Sequence, residues 1–392
     1  MRTLPLRFSS LRLVLLSAAC VAVLAVPAAA SAKSTLAVGF LDNAYVGSDP
    51  GAFWNDSVTL HVGFMRWDMQ WSEIASKQPK NPRDPEDPAY NFGPTDQFIR
   101  DAKAHGLQDR IMFTLWKTPN WASSTKSHQA RATQMPNLTM WRAFVFACAT
   151  RYSGTYIPPG QTTPLPRVRA WETWTEPNAY FAFRPQYSNG VAVSPRNYVK
   201  LLTALRSEVK KAVHFKPTFV AGAMYKQGSS NGLTPVDFMR GMKAAGATFD
   251  VLSMHPYNRN PSAGIHDGEN ESTTNPSFIG VGNFQTFITL ANEIFHHKYP
   301  IWITEFGIPT AAPGVSKNVA TLKQQSTFVT QAFQKLKSLP QVERAAWFLV
   351  QDEAPRNGAW YTTGLRKETG AKKPSFNAWV AAAKKLQKSP IR

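Results

Sequence analysis

Two glutamates in this 392-residue sequence close short apolar runs in a way that could set a pair of carboxyl groups side by side. One run reads Trp171-Glu172-Thr173-Trp174-Thr175-Glu176-Pro177-Asn178, the other Ile301-Trp302-Ile303-Thr304-Glu305-Phe306-Gly307. The two-residue period of an extended chain puts Glu305 on the face of Ile301 and Ile303, and Glu176 on the face of Glu172 and Trp174. A lone glutamate at a strand end is more often an ion-pair partner; two that end strands of one barrel point to catalysis. The chemistry that needs such a pair is cleavage of a glycosidic bond, where a poor alkoxide leaving group needs a proton while positive charge grows on the sugar ring. If the anion of the pair attacks the anomeric carbon, the two groups lie about 5 to 5.5 Å apart and configuration is retained. Mutual repulsion keeps a proton on one member. We assign that acid/base role to Glu176 and the nucleophile to Glu305.

The elements that must position them can be read from hydrophobic periodicity. Eight runs rich in β-branched and aromatic residues predict strands near Leu36 to Phe40, Val62 to Trp67, Arg110 to Leu115, Val168 to Trp174, Thr218 to Ala223, Val251 to His255, Ile301 to Glu305 and Ala345 to Val350. Helical patterns at Thr95 to His105, Thr139 to Tyr152, Pro195 to Val213, Pro235 to Ala245, Asn283 to His297 and Val319 to Ser338 fall between them, and Ser375 to Leu386 follows the last. Strand and helix in alternation, eight times, predict an α/β fold: a single-domain (β/α)8 TIM barrel, whose working residues sit at the carboxyl ends of the strands. The first connection, Leu41 to His61, has the poorest helical signal. Asn258 to Gly282, rich in Gly, Ser, Asn and Pro, is too long for a plain connection and predicts a substrate-facing loop, with a disordered surface insertion as the alternative.

Arg2, Arg7 and Arg12, an apolar stretch from Leu13 to Val26 and the Ala30-Ser31-Ala32 site predict a cleaved export signal over residues 1–32 and a secreted catalytic domain over 33–392. Ser17 and Pro27 interrupt the apolar stretch and no second one follows, which argues against a membrane span; Ser17 also argues against lipidation at Cys20. With Cys148 the one cysteine after the signal, no disulfide can form within the mature chain. The formal charge of +19 comes from scattered basic residues without a nucleic-acid module, so nucleic acid is not an expected partner. The chain does not specify an oligomeric state. His296-His297 lacks a spaced third ligand, and His266 to Glu271 lacks the oxygen spacing of a calcium loop. No phosphate cradle or dinucleotide signature is present, and neither a metal nor a cofactor is expected.

The two glutamate motifs resemble those of the clan A glycoside hydrolases, and among them family 39 and its relatives. Arg66-Trp67-Asp68 with Trp71, Thr118-Pro119-Asn120-Trp121-Ala122, His255-Pro256-Tyr257, Gly364-Leu365 and Lys373-Pro374 extend the likeness over most of the chain. The resemblance implies that Arg66 keeps the nucleophile ionised and oriented; read from the residues alone, it could equally be a buried partner of Glu172. Tyr257 is expected to hydrogen-bond Glu305 and His255 to contact sugar hydroxyls, each with a role in the core as the alternative. Among tryptophans whose faces could meet a sugar ring, Trp116, Trp121, Trp347 and Trp360, the resemblance favours Trp347, with Asp352 just beyond it. The sequence departs from the clan at Thr175, where an asparagine amide usually meets the sugar 2-hydroxyl. The expected sugar contacts are thus Arg66, Trp116, Thr175, His255, Tyr257 and Trp347. A transglycosidase using the same two glutamates, a noncatalytic carbohydrate-binding barrel and a basic cell-envelope-associated protein that works through its charge are the competing readings.

Overall fold

A computed structural model describes Met1 and residues 36–125, 132–313, 315–356 and 359–386, without the side chains of 354–356 and 359–360. Beyond Met1, the expected export signal lies outside the described residues. Within the unit Ser34–Arg392, eight parallel strands close into a barrel: β1 (Ala37–Leu41), β2 (Phe64–Gln70), β3 (Ile111–Trp116), β4 (Ala170–Thr173), β5 (Thr218–Tyr225), β6 (Val251–His255), β7 (Ile301–Phe306) and β8 (Val342–Phe348). Each strand pairs with its sequence neighbours, and β8 returns to β1 with Phe40 opposite Trp347. The principal helices are α1 (Pro50–Thr59), α2 (Gly93–Ala104), α3 (Leu138–Arg151), α4 (Ser194–Ala212), α5 (Pro235–Ala244), α6 (Phe284–Phe295), α7 (Leu322–Lys337) and α8 (Pro374–Leu386). This is the (β/α)8 TIM barrel that the alternation predicts.

Local chemistry sets the helix starts. Asn137 accepts from the Thr139 and Met140 amides to cap α3, Thr234 caps α5, and Thr321 with Gln324 forms a reciprocal capping box on α7. The first connection departs from expectation: it folds as a short helix, Asn43–Ser48, and then α1. Asp42 and Asp49 cap these two, and Pro50 opens α1 where its missing N–H is no loss. The capping residues compensate for a weak apolar period.

Inside the barrel one apolar residue from each strand forms a floor: Ala37, Phe64, Met112, Ala170, Val220, Val251, Trp302 and Ala346. That layer corrects the expected strand faces. Trp302 points inward, while Ile301 and Ile303 join the core shared with the helices. Glu305 still reaches the barrel mouth because the β7–β8 pairing shifts register between Ile303 and Phe306, placing two successive residues, Thr304 and Glu305, on the site side. Trp174 is likewise turned into the core, where its indole donates to the Ala182 carbonyl.

Candidate active site

Two residues beyond the floor, the same strands carry polar side chains. Arg66 on β2 is buried and donates through Nε to Thr114 on β3 (2.7 Å). Thr114 in turn donates to Glu172 on β4 (2.7 Å), whose other oxygen accepts from Ser253 on β6 (2.7 Å). Arg66 also lies 3.4 Å from Glu172, 3.2 Å from Asp68 and in direct contact with Glu305. The guanidinium is thus held by three carboxylates, which together hold its charge against the loss of water.

The backbone aims the two glutamates differently. Glu305 is brought to the mouth by the register shift within β7, whereas Glu176 lies at φ 46° and Trp174 at φ 61°, in the left-handed region that side-chain-bearing residues seldom occupy. The Glu176 amide is anchored on the Ala223 carbonyl (2.8 Å), at a point where β5 itself bulges against β6. Ala223, Lys117 and Leu349 also have positive φ, so strained backbone recurs at the carboxyl ends of β3, β4, β5 and β8.

One oxygen of Glu176, one of Glu305 and a ring nitrogen of His255 lie within 4.8 Å of one another. His255 Nδ1 is 3.1 Å from Glu176 and 3.6 Å from Glu305, and its Nε2 is 3.0 Å from the Thr304 hydroxyl. Tyr257 donates its hydroxyl to Glu305 (2.9 Å). These three groups have the donor types to surround a metal ion, but Glu305 already accepts from Arg66 on one oxygen and from Tyr257 on the other.

The environments pull the two acids apart. Burial raises the Glu176 pKa and the negative charge of Glu305 adds to the effect, against the opposing pull of His255 and Arg66. Burial alone would raise Glu305 too, but His255, the Arg66 cation and the hydrogen bonds from Arg66 and Tyr257 outweigh it and lower the pKa. One carboxyl group is thereby inclined to keep a proton and its neighbour to lose one. Both face an open cleft of about 790 Å³, toward the upper end of the about 300–1,000 Å³ usual for ligand sites.

A family model described as the glycosyl hydrolase catalytic core matches residues 168–371, just over half of the chain, including both glutamates. The chain belongs to this glycosyl hydrolase family. No curated protein matches its sequence. Its barrel is similar to that of a family 39 glycoside hydrolase from the gut symbiont Bacteroides cellulosilyticus WH2, with a TM-score of 0.62, 16% identity and coverage of 91% of this chain and 65% of the other. A glucosidase from Croceicoccus marinus gives 0.61, 14% identity and coverage of 91% and 68%. Native xylanase 10B from Thermotoga maritima gives 0.54, 16% identity and coverage of 90% and 96%. Likeness at such identities establishes the shared barrel fold and does not single out family 39. The chain spans 65% of the length of the Bacteroides enzyme.

Within this glycosyl hydrolase the expected sugar contacts divide into three groups. Trp116, Thr175 and Tyr257 line the cleft beside Glu176 and Glu305. Arg66 and His255 are buried beneath it, where they touch the carboxylates instead of the opening. His255 therefore links the two acids. Trp347 is fully buried on the helix side of β8, edge-on to Phe306 and donating to the Thr363 carbonyl (2.8 Å); Phe348, the next residue, lines the cleft in its stead. Asp352 is a buried partner of Lys373, and Trp121 donates to the Ala75 carbonyl (2.8 Å); neither lines the cleft. The side chain of Trp360 lies outside the described residues.

Thr175 does not replace an asparagine by reaching into the cleft alone: its hydroxyl accepts from Arg66 Nη2 (3.3 Å). Trp116 donates its indole N–H to Asp68 (3.1 Å), which binds Arg66, so the cleft wall and the buried cation are mechanically joined. Thr114 and Ser253 are site residues that motif reading passed over, and Asp68 and Thr304 stand within the quoted motifs without a role assigned to them. The period of two, continued upward from the apolar floor on each strand, would have found Asp68, Thr114, Ser253 and Thr304. The long segment after β6 contributes Asn258, Arg259 and Pro261 to the cleft, and Phe278, Ile279 and Val281 to the core.

Proposed function

We propose that the chain is a secreted retaining O-glycosidase acting on a polysaccharide or its oligosaccharides, with Glu305 as nucleophile and Glu176 as acid/base. The observation that carries this reading is the carboxylate pair itself: oxygens within 4.8 Å, one acid with a raised pKa and one with a lowered pKa. That spacing favours retention, because inversion leaves room for a water between carboxyl groups about 6.5 to 9.5 Å apart.

In the first step a Glu305 oxygen bonds to the anomeric carbon as the bond to the glycosidic oxygen breaks, and the Glu176 proton passes to that oxygen. Arg66 and Tyr257 hold Glu305 ionised and oriented until it attacks. In the second step Glu176, now a carboxylate, takes a proton from water as the water oxygen attacks the same carbon and the ester to Glu305 opens. His255 lies against both carboxyl groups and so contacts the pair in either protonation state.

The test is a screen of aryl glycosides and polysaccharides, followed on a responsive substrate by NMR of the first-formed anomer. The proposal expects retention. Release of the inverted anomer, or hydrolysis undiminished in Glu176→Ala, would remove it. Glu176→Ala should slow natural substrates far more than activated aryl glycosides, and azide should restore part of the activity.

A further inference from the structure

Among the described residues three cations line the cleft, Lys117, Lys226 and Arg259, and two of them are matched on the protein. Lys117 donates to Gln70 (2.6 Å) and to Glu73 (2.7 Å). Arg259 donates to Glu271 (2.9 Å) and lies over the Phe278 ring (4.6 Å). Lys226 differs. It directly follows β5, close along the chain to the Ala223 carbonyl that anchors Glu176, and it is half-buried. Its ammonium donates to the Asn258 carbonyl, lies 5.9 Å from the centre of the Tyr225 ring and forms no ion pair among the described residues.

The carboxylates whose charge reaches Lys226 are engaged elsewhere. Asp267 accepts from the backbone amides of Arg259 and Asn260, and Glu176 lies against His255 (3.1 Å). Burial lowers the Lys226 pKa against the pull of Asp267 and Glu176, and Arg259 adds to the lowering. An ammonium carries three N–H donors, so a single carbonyl leaves two without an acceptor on the protein. Water can serve them while the cleft is open. A ligand that fills the cleft expels that water, and a charge that loses its water without gaining a counter-ion is costly. Sugar hydroxyls would restore the hydrogen bonds alone; a carboxylate or sulfate restores them in charge-assisted form and supplies the missing opposite charge. The chain as a whole favours the same class of ligand, because its formal charge is +19, to which Arg2, Arg7 and Arg12 of the expected export signal contribute only three, and such an excess draws acidic polymers toward the protein.

Resting on the glycosidase reading, we propose that the substrate is an acidic polysaccharide and that Lys226 pairs with an anionic group, the carboxylate of a uronic acid or a sulfate ester, on a sugar bound beside Glu176. Lys226 is then a specificity-determining residue. It separates charged chains from neutral chains of the same backbone and takes no part in breaking the bond.

The experiment compares ligands that differ in charge alone. Glu305→Gln protein is titrated by calorimetry with oligosaccharides of polygalacturonate, alginate and glucuronoxylan, which carry carboxylates, and of carrageenan, which carries sulfates, each beside its carboxyl-reduced or desulfated counterpart. The titrations are run at about 0.15 M salt, where a Debye length of about 8 Å limits the reach of distant surface charge. One acidic series should bind about tenfold tighter than its neutral counterpart, or about 1.4 kcal/mol, and the series that does so separates carboxylate from sulfate. Adding Lys226→Met should erase that preference and Lys226→Arg should keep most of it, with folding of both checked by thermal melting. The comparison of charged with neutral ligand needs no substitution at Lys226, so it decides even if a variant fails to fold. The inference is overturned if no acidic series is bound, if the neutral counterparts bind as tightly, or if the preference survives in folded Lys226→Met. Neutral chains hydrolysed by the wild-type enzyme without a preference for acidic ones would overturn it and leave the glycosidase reading in place. Acidic chains bound through Lys226 but never cleaved by the wild-type protein would count against the glycosidase reading and leave the pairing in place.

Discussion

The floor and the mouth of this barrel are built by the same strands two residues apart, yet they solve opposite problems. On the floor, Phe64, Met112, Ala170, Val251 and Trp302 fill space with apolar surface. One step up, Arg66, Thr114, Glu172, Ser253 and the Thr304 carbonyl form a hydrogen-bonded network through one buried cation. The floor is stabilised by burial, so its residues are exchangeable within limits of volume. The mouth holds charge without water, where losing one partner leaves another unpaired. The strand ends make the same contrast in the backbone, regular below and left-handed at Trp174, Glu176 and Ala223 above. Strain at the mouth persists because the rigid layer beneath fixes both ends of each turn.

The contrast predicts that mutations divide into those that abolish turnover and those that loosen the fold. The largest effect belongs to Glu305→Gln, which should lower kcat by about 10⁴-fold or more while thermal melting stays close to wild type. Arg66→Met should do both kinds of harm. It leaves Glu172 and Glu305 without their shared cation, and chemical denaturation should show a loss of about 3–5 kcal/mol. Wild-type stability in that variant would mean that the network is not the scaffold of the mouth. Trp302→Ala should lose a similar amount, about 3–5 kcal/mol, through a cavity in the floor, but the enzyme that remains folded should keep the wild-type pH profile.

The pH profile sharpens the comparison further. The proposed mechanism requires Glu305 ionised and Glu176 protonated. Because the Glu305 pKa is lowered, activity should appear as pH rises through that lowered value; because the Glu176 pKa is raised, activity should fall as pH rises through that higher one. On an activated aryl glycoside, where protonation of the leaving group matters least, Glu176→Gln should remove the alkaline limb and leave the acid limb. An unchanged alkaline limb would assign that titration to another group.

Much of this division was legible in the residues. All eight strands stand out as short apolar runs, and both glutamates stand at strand ends because glutamate after such a run is conspicuous. The loops and faces were harder. The helix α1 has a weak apolar stripe, and only its Asp49-Pro50 start announces it. Trp347 and Trp302 could not be sorted by alternation, because the irregular register between β7 and β8 shifts which residues face inward. His255 is a contact of sugars or of acids depending on a few ångströms, which a period of two does not resolve. Polar residues such as Thr114 and Ser253 read as ordinary strand residues until the strands are placed around a common axis.

The smallest predicted effect concerns Thr175. Its hydroxyl accepts from Arg66 while its side chain borders the cleft, so Thr175→Asn lengthens the side chain into the opening and disturbs that bond. Turnover of the preferred substrate should fall severalfold, with stability within about 0.5 kcal/mol of wild type. Improved turnover would show that the pocket is not shaped around the shorter threonine.

The claim that the two glutamates divide into nucleophile and acid is tested most directly by trapping the covalent intermediate. A 2-fluoro glycoside with a reactive leaving group, matched to the sugar found in the substrate screen, should glycosylate the wild-type enzyme and be released slowly enough for peptide mass spectrometry to find the adduct. The account predicts a single glycosyl adduct on the peptide containing Glu305, and its absence in Glu305→Gln. An adduct on Glu176 or another carboxylate, or steady turnover of that glycoside to the inverted anomer without any adduct, would contradict it.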